Sequence, residues 1–166
     1  MITPQHLLNA ITNELRIMKH LASRVTAENK DFRFTPGQRS TEELLHYLVS
    51  SFPVQIKLMV VGKRDEEIYM NYANQFNGFT YTQFAEEMDV ALGVIAQDIN
   101  SLSDAQRQEH VSIRGMEGPR TRFLNDYILT FLGAYKMQLF LQLKASGLTE
   151  LTTYNLWAGM DEPKKG

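Results

Sequence analysis

One long segment of this chain, residues 119–147, has the pattern of a helix that is apolar almost all the way round. Between residues 127 and 143 its clearly polar side chains are Thr130, Lys136, Gln138 and Gln142. Because such a helix must be enclosed by other parts of the protein, we expect it to be the central helix of the fold. A central helix is where a small helical protein normally builds a metal or catalytic site, yet this segment contains no histidine or cysteine.

Three other segments carry apolar residues at three- and four-residue intervals, which predicts one buried stripe on each of three further helices. Their expected spans are residues 3–27, 41–61 and 80–102. Together with the central helix they give an all-α fold, a four-helix bundle. The connection between the second and third helices is long enough to cross the bundle, so we expect crossed connections rather than a simple up-down order. We expect residues 1–147 to form a single bundle domain and residues 148–166 to be a C-terminal strap and tail packed on it.

Local signals set the limits of these helices. Ser40 and Glu43 fit a capping box at the start of the second helix, and Gly62 fits a left-handed stop at its end. Pro53 falls inside this helix and predicts a bend or an irregular turn. Between the main helices we expect a short helix over residues 64–73, a second capped turn from Ser103, and an irregular loop or short hairpin over residues 110–119.

Residues outside the four stripes are expected to lie on the outside of the bundle. His6 and His20 fall away from the stripe of the first helix, which favours solvated positions for both. The strap is expected to be ordered through its larger apolar residues, Leu151, Tyr154, Leu156 and Trp157. Only residues 161–166 are expected to be loose.

Composition narrows the classes of function. With 166 residues the chain is sized for one domain, and it has no cysteine, so it has neither a disulfide framework nor a thiolate site. A formal charge of -2 without a long basic run argues against a nucleic-acid partner. The N-terminus does not resemble a signal peptide and no apolar stretch is long enough to span a bilayer, so we expect a cytoplasmic protein that does not associate with membranes.

Two landmarks of the sequence resemble those of the DinB-like (YfiT-related) helical bundles. The first is the run FRFTPGQRS at residues 32–40, followed by TEELLHYL at residues 41–48. The second is MQLFLQLKASG at residues 137–147, and the segment NLWAGMD at residues 155–161 is similar to the tail of some relatives. The resemblance implies a four-helix bundle with crossed connections that is often dimeric. It also implies, for many relatives, a divalent metal held by one histidine of the second helix and two of the fourth.

Only one of those three ligand positions carries a histidine here. His46 matches the ligand of the second helix, whereas the positions of the fourth helix fall on Phe131 and Tyr135, or on Thr130 and Ala134 if the register shifts by one. Phenylalanine cannot bind a metal, and an ordinary tyrosine hydroxyl is a weak ligand. We therefore expect no metal and no cofactor.

His46 has two interpretations at this stage. The simpler one is a hydrogen-bonded histidine at the boundary of the core. The functional one places it in a small polar pocket, where it and Tyr135 bind a ligand or act as an acid and base. The candidate pocket then consists of His46, Tyr135, Gln138 and Phe131.

These observations favour a metal-free bundle that acts as a small-ligand-binding or interaction module and forms a homodimer. The alternative is a metal-dependent hydrolase or thiol-dependent transferase of the DinB-like kind, using His46 with further ligands such as His110 or Asp126. DNA binding has no support in the charge pattern. The sequence names neither the ligand nor a reaction.

Overall fold

The structure is a computed structural model that describes residues 3–113 and 115–163, with the side chain of Ala73 left out. Four long helices form its body: α1 (Pro4–Ala22), α2 (Thr41–Val61), α4 (Phe84–Ser101) and α7 (Ile128–Ala145). Shorter elements connect them: α3 (Glu66–Gln75), a 3-10 turn (Tyr81–Gln83), α5 (Asp104–Gln108), a hairpin of β1 (His110–Ile113) and β2 (Met116–Pro119), and α6 (Arg120–Arg122). Two π-helical turns complete the chain, Phe123–Tyr127 before α7 and Tyr154–Ala158 in the strap.

The contacts between the long helices define their directions. α1 and α7 run parallel, because Leu7 lines a common cavity with Leu124 near their starts and Glu14 pairs with Lys136 further along. α2 runs antiparallel to α7, because Arg39, just before α2, binds Gln142 near the end of α7, and Phe52 stacks on Phe131 near its start. α2 and α4 run parallel, because the carboxylate of Glu42 binds the amide of Tyr81 at one end and Lys57 pairs with Asp98 further along. The order is therefore up, down, down, up. This confirms the all-α bundle with crossed connections, since residues 62–83, including α3, must return along the bundle before α4 begins.

The start and end of α2 are as predicted. The Ser40 hydroxyl accepts from the amide of Glu43 at 3.2 Å, and the Glu43 carboxylate accepts from the amide of Ser40 at 2.8 Å. Gly62 ends the helix with a φ of 82°. Of the two alternatives expected at Pro53, a bend or an irregular turn, the irregular turn is wrong, because α2 is one continuous helix through that residue. Pro53 is buried, and packing of α2 on its neighbours offsets the missing backbone hydrogen bond.

Two predicted boundaries are wrong for identifiable reasons. α1 stops at Ala22 rather than near residue 27, because the buried Asn29 side chain accepts from the amide of Thr26 at 2.9 Å and donates to the carbonyl of Arg24 at 3.0 Å. These bonds stabilise a turn in place of helix. The short helix starts at Glu66 because Asp65 caps it. The hairpin expected between residues 110 and 119 is confirmed, with His110 opposite Pro119.

The central helix is less enclosed than its sequence predicts. α7 buries side chains against α1 and α2, but an outer row on it is exposed: Thr130, Ala134, Met137, Leu141 and Ala145. The most enclosed helix is α2, which is also long and apolar enough to cross a membrane by length and composition. Most of α2 lies inside the bundle, as expected for the core helix of a soluble protein.

The strap crosses α1 and is held at several points. Of the four residues expected to order the strap, Leu151 and Leu156 are buried, whereas Tyr154 and Trp157 are exposed. Asp161 is not loose, because its carboxylate pairs with Arg24. The rest of the tail expected to be loose, residues 164–166, lies outside the described residues.

His20 is not a solvated histidine. Its ring Nε2 lies 3.0 Å from the carboxamide nitrogen of Asn155, in the strap, and 3.6 Å from Asp161. Burial, followed by the nearby Arg24 charge, lowers the pKa of His20 below its ordinary value. His20 lies off the apolar stripe of α1 because its ring packs under the strap. The periodicity of α1 cannot indicate where the strap lies.

Candidate functional site

Three of the four predicted pocket residues lie on the side of α7 that faces α2. Phe131 and Tyr135 are one helical turn apart, and their ring centroids are separated by 4.5 Å. Phe131 is buried and stacks on Phe52 of α2 at 5.6 Å. Gln138 follows on the same side, 3.5 Å from the carboxamide oxygen of Gln142. The two positions of α7 at which the resemblance to DinB-like bundles implies metal ligands are thus occupied by packed aromatic rings.

Tyr47 is the residue of this site that sequence reasoning missed. Its ring centroid lies 5.2 Å from that of Tyr135, and the two hydroxyl oxygens are 3.5 Å apart. Tyr47 also contacts Phe131, at 6.1 Å between centroids. Adjacent residues of a helix point about 100° apart, so α2 presents Tyr47 to α7 and His46 to another neighbour.

His46 packs away from Tyr135. Its imidazole stacks on Phe79, in the connection before α4, with centroids 5.6 Å apart and an angle of 23° between the rings. The Nε2 atom is buried and has no hydrogen-bond partner among the described residues, so the simple interpretation as a hydrogen-bonded boundary histidine is incomplete. Among the same residues no hydrogen bond or ring contact joins His46 to Tyr135.

A cation completes the exposed side of the aromatic cluster. The guanidinium carbon of Arg39 lies 3.8 Å from the centroid of the Tyr47 ring, a cation–π contact. The carbonyl of Arg39 accepts from Gln142 at 2.9 Å, which fixes the backbone that carries this side chain. No carboxylate in the described part of the chain lies within ion-pair distance of the guanidinium, whereas nearby Arg33 pairs with Glu43 at 3.4 Å. We call Arg39, Tyr47, Phe131, Tyr135 and Gln138 the tyrosine site.

The environment of Tyr135 favours the neutral form of its hydroxyl. Burial, followed by the hydrogen bond to Tyr47, raises the pKa of Tyr135 to about 12. Near neutral pH the Tyr135 hydroxyl therefore acts as a hydrogen-bond donor and acceptor, and not as a phenolate base or an anionic metal ligand. Combined with Arg39, the arrangement can bind an anion and stack a flat ring, but it lacks an evident proton-transfer pair.

The side chains present do not fit a divalent metal. Of the three positions in the resemblance, Phe131 has no donor atom, Tyr135 has a neutral hydroxyl bound to Tyr47, and His46 packs on Phe79. The further ligands considered above do not converge on His46 either: His110 lies in β1, and the exposed Asp126 is 3.8 Å from Arg122. Across residues 3–113 and 115–163 no group of three or more histidine, cysteine or acidic side chains is placed to hold a metal.

Comparison with known proteins identifies the architecture. No protein-family model and no curated protein matches the chain significantly in sequence. Among solved structures, it is similar to a DinB-like protein, YjoA, from Bacillus subtilis, with a TM-score of 0.65, 16% identity, and coverage of 89% of this chain and 96% of that one. A DinB-like protein from Bacillus cereus matches with a TM-score of 0.66, 14% identity, and coverage of 86% and 92%. At these identities the likeness establishes the fold.

Proposed function

We propose that this chain, whose fold is that of the DinB-like proteins, is a cytoplasmic binding module that takes a small aromatic carboxylate at the tyrosine site. The observation that carries the proposal is the guanidinium of Arg39, which rests on Tyr47 without a carboxylate partner in the described part of the chain. Phe131, Tyr135 and Gln138 contribute to the site from α7.

The chemistry of the site favours an anion with a flat body. A guanidinium presents several donors in one plane, which match the two oxygens of a carboxylate. The stacking on Tyr47 holds that plane in place before a ligand arrives, so less conformational entropy is lost on binding. The hydroxyls of Tyr47 and Tyr135 add hydrogen-bonding groups beside the cation, and their rings offer faces for stacking.

Benzoate is a suitable probe, because it combines one carboxylate with one flat ring. Calorimetric titration of the full chain should give saturable binding, and Arg39→Gln should weaken it about tenfold, as expected for loss of a charged hydrogen bond. Arg33→Gln is the matched control, since Arg33 lies in the same loop but is already paired with Glu43. Absence of saturable binding, or equal weakening by both substitutions, would overturn the proposal.

A metal-dependent hydrolase or thiol-dependent transferase using His46 is the alternative function. The buried and unpartnered Nε2 of His46 is the observation in its favour, since an orphaned imidazole nitrogen has the chemistry of a ligand or a base. Its weakness is the donor set, because Phe131 and Tyr135 occupy the two positions from which further ligands would come. We therefore rank it second and derive no catalytic step from it.

We also propose that the module is a homodimer formed through the exposed row of α7. The row Thr130, Ala134, Met137, Leu141 and Ala145 contains no charged residue, although it is the solvent side of a long helix. Its small residues allow a second helix to approach closely, and a straight row suits a symmetric pair in which both copies use the same surface. Uncharged, partly apolar surfaces of this kind are typical of interfaces.

Light scattering after gel filtration tests the dimer. Leu141 is 47% exposed, so Leu141→Glu should fold normally and convert the dimer to a monomer by placing a charge in the interface. Val90→Glu is the matched control, because Val90 is 62% exposed on α4, away from the row, and its variant should remain dimeric. A wild-type chain that is monomeric at high concentration would contradict the proposal.

A further inference from the structure

A cavity lies where α1 begins and α4 ends. Its volume is about 360 Å³, which is within the range of small-molecule sites. Its apolar surface comes from α1, the C-terminal end of α4 and the π-helical turn before α7, through Leu7, Ile99, Leu102 and Leu124. Polar groups are gathered at its rim, where Asp104 and Arg107 of α5 supply one negative and one positive charge.

Arg107 is held rigidly at this rim. Its Nε and Nη2 atoms donate to the carbonyl of Leu102 at 3.0 and 2.8 Å, and Nη2 also donates to the carbonyl of Ile99 at 3.3 Å. These carbonyls belong to the C-terminal end of α4, where a cation is favoured by the helix dipole. The Nη1 atom makes no hydrogen bond to any described residue. A fixed guanidinium whose Nη1 atom is not bound by the described residues can bind a carboxylate.

Asp104 carries the opposite charge at the same rim. It stands three residues before Arg107 in α5, yet no ion pair joins the two side chains among the described residues. The hydroxyl of Ser103 and the side chain of Gln106 already cap the start of α5, so the Asp104 carboxylate is not needed for capping. It is available to a positive group of a ligand.

The wall of the cavity also contains an irregular helical segment. Leu124 and Asn125 line the cavity from the π-helical turn Phe123–Tyr127, which precedes α7. Single π turns inside helices are frequent at functional sites, because the wider turn displaces side chains from their regular positions. Here the turn presents the apolar Leu124 to the cavity.

From this arrangement we infer a second binding site, for a free amino acid with a large apolar side chain. The ligand's carboxylate binds Arg107, its ammonium binds Asp104, and its side chain fills the space between Leu7, Ile99, Leu102 and Leu124. A ligand with only one of the two charges leaves the opposite charge of the rim unpaired, and a polar side chain loses the apolar contacts. The site is separate from the tyrosine site, so either proposal can fail without the other.

The test uses the full chain carrying Arg39→Gln, because the tyrosine site of the wild type is itself proposed to bind aromatic carboxylates. It compares three probes: phenylalanine, phenylpropionate, which lacks the ammonium, and phenethylamine, which lacks the carboxylate. In calorimetric or NMR titration, phenylalanine should bind saturably, and each of the other probes should bind about tenfold more weakly, as expected for loss of one charged contact. Equal binding of all three probes would overturn the inference, because it would indicate an apolar cavity that does not recognise the charges of the ligand. Absence of saturable binding by phenylalanine would overturn it as well.

A charge variant then locates the binding. Asp104→Asn should weaken phenylalanine about tenfold while leaving phenylpropionate unchanged or improved, since the repelling carboxylate is gone. Glu150→Gln, made in the same Arg39→Gln background, removes a charge from an exposed position outside the cavity and should leave phenylalanine binding unchanged. Weakening of phenylalanine binding by Glu150→Gln to the same extent as by Asp104→Asn would refute the assigned location.

Discussion

Replacement of Gly62 by alanine should destabilise the fold more than an ordinary glycine substitution in a left-handed turn. Gly62 ends α2 with φ at +82°, a conformation that costs a residue with a Cβ roughly 1–2 kcal/mol. A Cβ at this position would also lie 2.7 Å from Nη2 of Arg120 and 2.9 Å from Cγ1 of Val111. Both distances are too short, so the neighbouring groups must move.

The displaced group is a buried cation, which sets the size of the effect. The Arg120 side chain is 6% exposed, and its Nη2 atom donates to Glu109 at 3.0 Å. Breaking a fully buried ion pair costs about 3–5 kcal/mol; Glu109 is more than half exposed, so we assign about 1–2 kcal/mol to a shifted Arg120. Together with the backbone cost, Gly62→Ala should lower the free energy of unfolding by about 2–4 kcal/mol.

Gly78→Ala provides the matched control. Gly78 has a similar φ of +86°, but among the described residues no atom beyond its chain neighbours lies within 4 Å of the Cβ that alanine would add. Gly78→Ala should lower the free energy of unfolding only by the backbone cost, roughly 1–2 kcal/mol. Urea denaturation followed by circular dichroism measures both variants against the wild type. Equal losses for Gly62→Ala and Gly78→Ala would refute the reasoning, because they would show that Arg120 and Val111 adjust without cost.

Two further predictions concern α1 and its partners. Lys136→Met should lower the free energy of unfolding by about 2 kcal/mol, because the Lys136 ammonium is only 4% exposed and lies 2.6 Å from the Glu14 carboxylate, which would lose its cation. In urea denaturation, adding Glu14→Gln should recover part of the loss. No recovery would contradict the pairing. The lowered pKa of His20 means that the unfolded chain takes up a proton at the ordinary value of 6.5 before the folded chain does. Stability should therefore fall as the pH drops from about 7 towards 5, and His20→Gln should flatten that dependence in denaturation curves measured across this range; an unchanged dependence would exclude His20 as its source.

The parts of the fold that depend on local chemistry could be predicted from the sequence. The capping box of Ser40 and Glu43, the left-handed stop at Gly62 and the hairpin before the last helix each follow from a few neighbouring residues. The early end of α1 could not be predicted in this way, because Asn29 has to be placed by the fold before its side chain can replace the helical hydrogen bonds.

The candidate site, too, could be predicted only in part from the sequence. Phe131, Tyr135 and Gln138 share a helical face, and periodicity places them together on α7. Tyr47 was missed because nothing in the sequence of α2 says which of two adjacent residues, His46 or Tyr47, meets α7. The contact of Arg39 with Tyr47 joins a loop to a helix, and the rim formed around Arg107 depends on where α5 settles against α4. Such relations are set by the packing of whole elements.

The central claim is that the packed aromatic rings between α2 and α7 do not hold a metal ion. Elemental analysis of the purified wild-type chain, dialysed against nickel, zinc, iron and manganese and then against buffer, tests it most directly. Phe131→His with Tyr135→His serves as the positive control, because two imidazoles one turn apart on a helix can share an ion. We predict well under one metal ion per chain for the wild type and metal retention by the double variant. One tightly held ion per wild-type chain would contradict the claim.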